Sequence, residues 1–167
     1  FCIILGSLQA TKRGREKIMQ PRLDYSKAAP SALQAMLAFN RYGRNCGLEP
    51  GLLELVKTRA SQLNSCAYCI DMHTKDARAL GESEQRLYAL SAWRETPFYS
   101  ERERAALALT EAVTLIADDH VPAEVYAMAQ QHFSEAELVN LVINIIIING
   151  WNRLSITFGT VAGTYQP

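Results

Sequence analysis

Two cysteines and a histidine near the middle of the chain have the spacing of a thiol redox site. Cys66, Cys69 and His73 follow one another at intervals of three and four residues, so on a helix all three side chains project from one face. The cysteines fall in the first turns of the predicted helix, where free N–H groups and the helix dipole favour a thiolate. His73 lies one turn beyond Cys69 and can exchange a proton with it. The pattern predicts a dithiol that oxidises to a disulfide.

Two other interpretations of the same residues are open. A C-x-x-C pair with a histidine supplies three zinc ligands, whereas a closed structural site needs four, and the sequence holds no second paired set of ligands. Alternatively, both cysteines are packed without a chemical role, since free cysteine is often buried. Cys2 and Cys46 have no partner at a useful spacing. The C-x-x-C spacing and the position at a helix start favour redox chemistry over zinc or simple packing.

Glu54, twelve residues before Cys66, is a candidate partner for His73. A buried carboxylate beside a histidine orients the ring and accepts its proton. Most single glutamates on helices are solvated surface residues, but Glu54 stands between Leu53 and Leu55 in a largely apolar stretch. Both a site role and a surface position are compatible with the sequence.

The elements that must position these residues are all predicted to be helices. Apolar residues recur at helical spacing in nearly every segment after Pro30, and no run alternates apolar and polar residues long enough for a strand. Two pairs have the spacing of capping boxes, Ser100 with Glu103 and Ser134 with Glu137. We predict an all-α, single-domain bundle of about seven helices, which begin near Pro30, Pro50, Asn64 or Ser65, Ser83, Ser100, Pro122 and Ser134.

Length and charge exclude several classes of partner. The 167 residues fit one domain. Lys+Arg and Asp+Glu both number 17, so the basic excess typical of a nucleic-acid binder or of attraction to an anionic membrane surface is missing. The apolar run 138–148 is too short to span a bilayer and predicts a buried helix. We expect a cytoplasmic protein in which residues 1–18 are a leader or an expression-derived arm and residues 19–167 form the domain.

The last predicted helix, residues 135–158, is apolar on almost every side. A helix of this kind is fully enclosed, and a chain of this size offers too little core to cover both faces. The sequence therefore predicts an obligate homo-oligomer in which long apolar helices meet between subunits.

The spacing Glu54, eleven residues, Cys66, two residues, Cys69, three residues, His73 resembles the alkylhydroperoxidase-D (AhpD-like) branch of the carboxymuconolactone decarboxylase family. The surrounding segments are similar as well, over about residues 20–165: Val56-Lys57-Thr58-Arg59-Ala60-Ser61, His73-Thr74-Lys75-Asp76-Ala77, Trp93-Arg94, Glu103-Arg104-Ala105-Ala106-Leu107-Ala108 and Asn149-x-x-Asn152-Arg153.

This resemblance implies an all-helical fold that assembles as dimers, trimers or hexamers. It implies a thiol-dependent peroxidase without metal or organic cofactor, in which Cys69 attacks a hydroperoxide, Cys66 resolves the product, and Glu54 with His73 relays protons. It also implies an external dithiol reductant such as a lipoyl group or a thioredoxin-like carrier.

One position departs from the family pattern, and one alternative function follows from the same fold. Peroxidase members often have a second histidine between the cysteines, where this chain has Tyr68. A tyrosine donates a hydrogen bond but is a poor base near neutral pH, so Tyr68 is either an accessory site residue or a packing residue. The decarboxylase branch performs acid–base chemistry that needs no C-x-x-C pair, which favours the redox function for this chain.

Overall fold

The computed structural model describes residues 20–167, and every regular element in this part of the chain is helical. The predicted leader, residues 1–18, lies outside the described residues. The helices are α1 (Tyr25–Ala28), α2 (Pro30–Arg44), α3 (Pro50–Leu63), α4 (Ala67–Ala79), α5 (Glu84–Ala89), the 3-10 helix Leu90–Glu95, α6 (Glu101–Thr114), α7 (Ile116–Asp119), α8 (Ala123–His132) and α9 (Glu135–Phe158).

The all-α prediction is confirmed, and all seven predicted helices are present. The described residues form more helices than the seven predicted, because several of the helices are short. Helix α1 is a single turn capped by the side chain of Asp24. The predicted helix after Ser83 continues as a 3-10 helix, and the predicted helix after Ser100 is divided at Leu115 into α6 and α7.

Side-chain caps fix the starts of two long helices, as predicted. Ser100 and Glu103 form a reciprocal capping box at α6, and Ser134 and Glu137 form another at α9. The predicted cap of α4 is wrong by one or two residues, because the N-cap is Cys66 rather than Asn64 or Ser65. The N-cap position is set by the turn that ends α3, and this turn places the two cysteines at the N-terminus of α4.

Helix α3 lies at the centre of the bundle and packs against α4, α6 and α9. Two faces of α3 contribute to separate apolar clusters: Leu53 and Val56 contact residues of α6 and α9, while Leu55 packs among residues of α4, α5 and the 3-10 helix. Because α3 is enclosed on these sides, a polar side chain on it that faces α4 is buried as well. Glu54 is such a residue.

Helix α9 is buried along one side by α2, α3 and α6 and remains open on the other. Val139, Ile146 and Ile156 are about half exposed or more, so the part of the chain that the structure describes does not enclose the helix. By length and composition α9 is also apolar enough to cross a membrane, but 44% of its most apolar window is buried inside this chain. The buried residues lie on the side that packs against α2, α3 and α6.

Gly43 of α2 lies against α9 without room for a side chain. A Cβ at this position would lie 2.7 Å from Asn144 Oδ1 and 2.7 Å from Ile147 Cδ1. We expect Gly43→Ala to lower the free energy of unfolding by about 1–3 kcal/mol through overpacking. Gly51→Ala is the matched control: an added Cβ there meets no described atom within 4 Å, and alanine has the better helix propensity. Urea unfolding should separate the two variants, and equal midpoints would disprove the close packing.

Candidate active site

The turn between α3 and α4 places the cysteine pair at a helix start. Ser65 has φ +55°, a left-handed conformation that is uncommon for a residue with a side chain. The Ser65 N–H donates to the carbonyl of Gln62, and the Cys66 N–H donates to the carbonyl of Ser61 at 2.9 Å. These two bonds form a Schellman motif that ends α3. Its last residue, Cys66, is at the same time the N-cap of α4, and Cys69 is the third residue of that helix.

Glu54 lies between two partners on opposite sides of its carboxylate. Oε2 is 2.7 Å from His73 Nδ1, and Oε1 accepts a hydrogen bond of 2.6 Å from Lys57 Nζ. All three side chains are at least nine-tenths buried. Burial alone raises the pKa of Glu54, but the hydrogen bonds and charges of His73 and Lys57 outweigh it and bring the pKa down to about 2. Glu54 is therefore a carboxylate at neutral pH, and the His73 ring is held through Nδ1.

The two thiols share one negative charge near neutral pH. A hydrogen bond from the Cys69 thiol is the largest influence lowering the pKa of Cys66 to about 7, and the backbone N–H of Cys69 and the side chains of Asn152 and Ser155 add to it. The same hydrogen bond, together with burial and the charge on Cys66, raises the pKa of the Cys69 thiol. A pair coupled in this way loses its first proton at a lower pH than a single thiol and keeps the second.

This coupling predicts how the thiolate titrates. In a protein whose Cys2 and Cys46 are replaced by serine, ultraviolet thiolate absorbance should reach half of one thiolate at about pH 7, below the ordinary value of 9.0. Cys69→Ala removes the hydrogen-bond donor, so the midpoint for Cys66 should rise towards 9.0. A midpoint near 9 in the protein that keeps both cysteines would refute the shared charge.

A cavity of about 420 Å³ opens beside the second cysteine. Cys69, His73 and Tyr68 line it, together with Ser155 and Trp151 of α9. Both cysteines are buried in one apolar cluster with Ala60 and Ile148, but among the described residues Cys66 is not part of the cavity lining. Of the two sulfurs, Cys69 is therefore the one that a molecule in the cavity meets.

Tyr68 forms part of both the cavity wall and the apolar packing around the cysteines. Burial is the main cause that raises the pKa of its hydroxyl. Tyr68 therefore stays protonated near neutral pH and can donate a hydrogen bond into the cavity, but it cannot replace a histidine as a base.

Several polar residues at the site were not found by sequence reasoning. Lys57 is buried against Glu54. Asn152 is fully buried on α9, donates a hydrogen bond of 3.0 Å to Ser61 Oγ, and accepts one of 2.9 Å from Asn64 Nδ2. These bonds connect α9 to the turn that carries the dithiol. In the sequence these residues appear only within segments similar to the family, and helical periodicity gives no signal for them because lysine and asparagine are usually exposed.

The C-terminal segment also reaches the site. Tyr165 lines the cavity, its hydroxyl donates to Asp76 Oδ1 at 2.7 Å, and its carbonyl accepts from Lys75 Nζ at 2.9 Å. Gly163 donates its N–H to Asp71 Oδ2 at 2.9 Å. All three bonds end on α4, so this segment forms a wall of the cavity held by the helix that carries Cys69.

The zinc alternative finds no support in the way these groups are gathered. In the described part of the chain, the group of three or more ligand-type residues whose atoms all lie within 4.8 Å of one another is Glu54, His73 and Asp76, without either cysteine. One oxygen of Glu54 is already bound to the Lys57 ammonium. The two cysteines and His73, which could together have supplied three zinc ligands, are instead arranged as a dithiol beside the Glu54–His73 pair.

This chain is similar to known proteins over most of its length. The profile of the carboxymuconolactone decarboxylase family matches residues 30–112. The uncharacterized protein YdfG of Bacillus subtilis is 45% identical over 146 residues, which cover 87% of this chain and 99% of YdfG.

Solved structures share the fold. A protein of unknown function from Agrobacterium tumefaciens, suggested to be the antioxidant defence protein AhpD, is 40% identical, with a TM-score of 0.85 over 87% of this chain and 100% of that one. The debrominase Bmp8 is 19% identical, with a TM-score of 0.75 over 83% of this chain and 74% of its own.

Proposed function

Because this chain belongs to the carboxymuconolactone decarboxylase family and has the AhpD-like fold, we propose that it is a thiol-dependent peroxidase that reduces organic hydroperoxides through a Cys66–Cys69 disulfide. The observation that carries the proposal is the dithiol with a lowered pKa beside a buried Glu54–His73 pair, where one sulfur faces a cavity. Acid–base chemistry of the decarboxylase type does not need the C-x-x-C dithiol.

In the first step the dithiol loses one proton, which His73 accepts at Nε2. Glu54 supports this because its carboxylate accepts the Nδ1–H bond and stabilises the imidazolium that forms. The remaining thiol proton is shared in the hydrogen bond between the sulfurs. When it lies on Cys66, the charge is on Cys69, the sulfur that lines the cavity.

In the second step the Cys69 thiolate attacks the terminal oxygen of the hydroperoxide. The O–O bond breaks, Cys69 is oxidised to a sulfenic acid, and the alkoxide takes the proton from His73 and leaves as an alcohol. Cys66 then attacks the Cys69 sulfur, a disulfide forms, and the sulfenic hydroxyl leaves with the last thiol proton as water. Cys66 and Cys69 are three residues apart at the start of α4 and belong to the same apolar cluster, so this condensation joins neighbouring side chains.

A dithiol donor completes the cycle. It reduces the Cys66–Cys69 disulfide by thiol–disulfide exchange and is itself oxidised to a disulfide. We propose a lipoyl group or a thioredoxin-like protein as the donor, and we place the protein in the cytoplasm, where thiols are kept reduced.

The test is steady-state turnover of cumene hydroperoxide with dihydrolipoamide or a reduced thioredoxin as donor. We expect turnover by the wild-type chain and none above background by a Cys66→Ser/Cys69→Ser double variant. Equal rates for the two proteins with every dithiol donor would rule out the peroxidase.

We also propose that the chain functions as a homo-oligomer that buries the open side of α9. The exposed residues Val139 and Ile146 lie on this side, about two helical turns apart. A groove of about 390 Å³ beside them is lined by residues of α6, α8 and α9. Light scattering should give a multiple of 18.6 kDa, and Val139→Glu/Ile146→Glu should dissociate it. A monomeric wild type would contradict this proposal without affecting the peroxidase.

A further inference from the structure

Two cavities meet at the site, and the same two cations lie between them. Arg44 and Lys57 line both the dithiol cavity and a neighbouring one of about 310 Å³. Apart from these cations, the dithiol cavity has mostly apolar and aromatic walls formed by α1, α2, α4, α9 and the C-terminal segment: Tyr25, Leu33, Leu37, Met72, Trp151 and Tyr165.

The carboxylates near these two cations face the neighbouring cavity and not the dithiol cavity. Glu54 and Asp76 line the neighbouring cavity, whereas the described residues that line the dithiol cavity include no Asp or Glu. A molecule that enters the dithiol cavity therefore meets positive charge and apolar surface. This distribution favours an anionic group on an otherwise apolar ligand.

Of the two cations, Arg44 is the one able to bind a ligand. Lys57 is buried and already donates at 2.6 Å to Glu54. The Arg44 side chain is 56% exposed, and its contact with a carboxylate in the described part is long, 3.9 Å to Asp76 Oδ2. Its guanidinium can therefore donate two parallel hydrogen bonds to a carboxylate without breaking a short one.

We propose that the dithiol cavity is selective for organic hydroperoxides that carry a carboxylate, which Arg44 binds while the apolar body lies against the cavity wall and the peroxide reaches Cys69. This inference rests on the proposed peroxidase function. The overall reaction is that of the same dithiol cycle: the hydroperoxide becomes an alcohol, water is released, and the carboxylate is unchanged.

The test compares cumene hydroperoxide with its para-carboxylate, two substrates that share the reacting group and differ in charge. For the wild type we expect kcat/KM to be about 10-fold or more higher for the carboxylate, the size of a charge-assisted hydrogen-bond pair. In Arg44→Gln the ratio of the two kcat/KM values should fall to about 1. Arg41→Gln, on the same helix and outside the cavity lining, should keep the wild-type ratio. A ratio near 1 in the wild type, or an unchanged ratio in Arg44→Gln, would overturn the proposal.

A binding measurement separates this inference from the proposed function. Para-isopropylbenzoate has no peroxide, so its protection of Cys69 from iodoacetamide reports occupancy of the cavity without turnover. We expect protection in the wild type and in Arg41→Gln, and much weaker protection in Arg44→Gln. Protection without peroxidase turnover would refute the peroxidase and retain the anion site, whereas equal protection in Arg44→Gln would refute the anion site.

Discussion

Replacement of Cys69 by serine is expected to abolish peroxide reduction, whereas replacement of Cys66 by serine should leave one half-reaction intact. Among the described residues Cys69 is part of the cavity lining and Cys66 is not, so without Cys69 neither thiol of the pair meets the substrate. We expect kcat/KM to fall on the order of 10³-fold or more in Cys69→Ser, as for loss of a catalytic nucleophile. Cys66→Ser should react once with peroxide and stop, because the sulfenic acid on Cys69 has no resolving thiol.

Dimedone labelling with mass spectrometry distinguishes the two variants. Peroxide-treated Cys66→Ser should carry one dimedone adduct at residue 69, and Cys69→Ser should carry none. Cys46→Ser is the control, since Cys46 lies away from the site at the end of α2, where Asn144 contacts its sulfur. An adduct on Cys66 in the Cys69→Ser variant would reverse the proposed roles of the two cysteines.

The second large effect concerns stability and arises from the buried ion pair. Glu54→Gln leaves the Lys57 ammonium buried without its anion and should lower the free energy of unfolding by about 3–5 kcal/mol at neutral pH. Lys57→Met leaves Glu54 with His73 alone and should also destabilise the protein. The double variant Glu54→Gln/Lys57→Met should cost clearly less than the sum of the two single changes, because neither charge is then buried alone.

The contribution of Glu54 to the free energy of unfolding depends on pH. The folded-state pKa of Glu54 is lowered from 4.5 to about 2, so its stabilising effect is fully present above about pH 4.5 and is lost as the pH falls towards 2. Urea unfolding should show the cost of Glu54→Gln shrinking over this window. Glu95→Gln, at an exposed position, should have little effect at any pH. A similar small effect for Glu54→Gln at neutral pH would show that the pair contributes little to stability.

The part of the site that depends on local spacing was predictable from the sequence. Cys69 and His73 lie about one helical turn apart and line the same cavity, as the period of one helix predicts, whereas Cys66 is the N-cap and is not part of the lining among the described residues. The capping boxes at Ser100 and Ser134 are local for the same reason. The N-cap of α4 was predicted wrongly because it depends on the Schellman motif, whose left-handed position is occupied by Ser65 instead of glycine.

Contacts between helices were harder to predict. The resemblance to the family implied that Glu54 and His73 are partners, but spacing alone favoured a surface position for Glu54 over a site role. Lys57 was missed because a lysine on a helix is usually solvated, and only the packing of α3 between α4 and α9 shows that it is buried. The bond of Tyr165 to Asp76 joins residues 89 positions apart, and no sequence pattern signals it.

In the proposed mechanism, the sulfurs of Cys66 and Cys69 together take up the two oxidising equivalents of a hydroperoxide. The most direct measurement is a thiol count with peptide mapping before and after one equivalent of cumene hydroperoxide, with no reductant present. We expect the loss of two thiols per chain and a peptide in which Cys66 and Cys69 are joined to each other. An unchanged thiol count, or a disulfide that involves Cys46 or Cys2 in place of this pair, would contradict it.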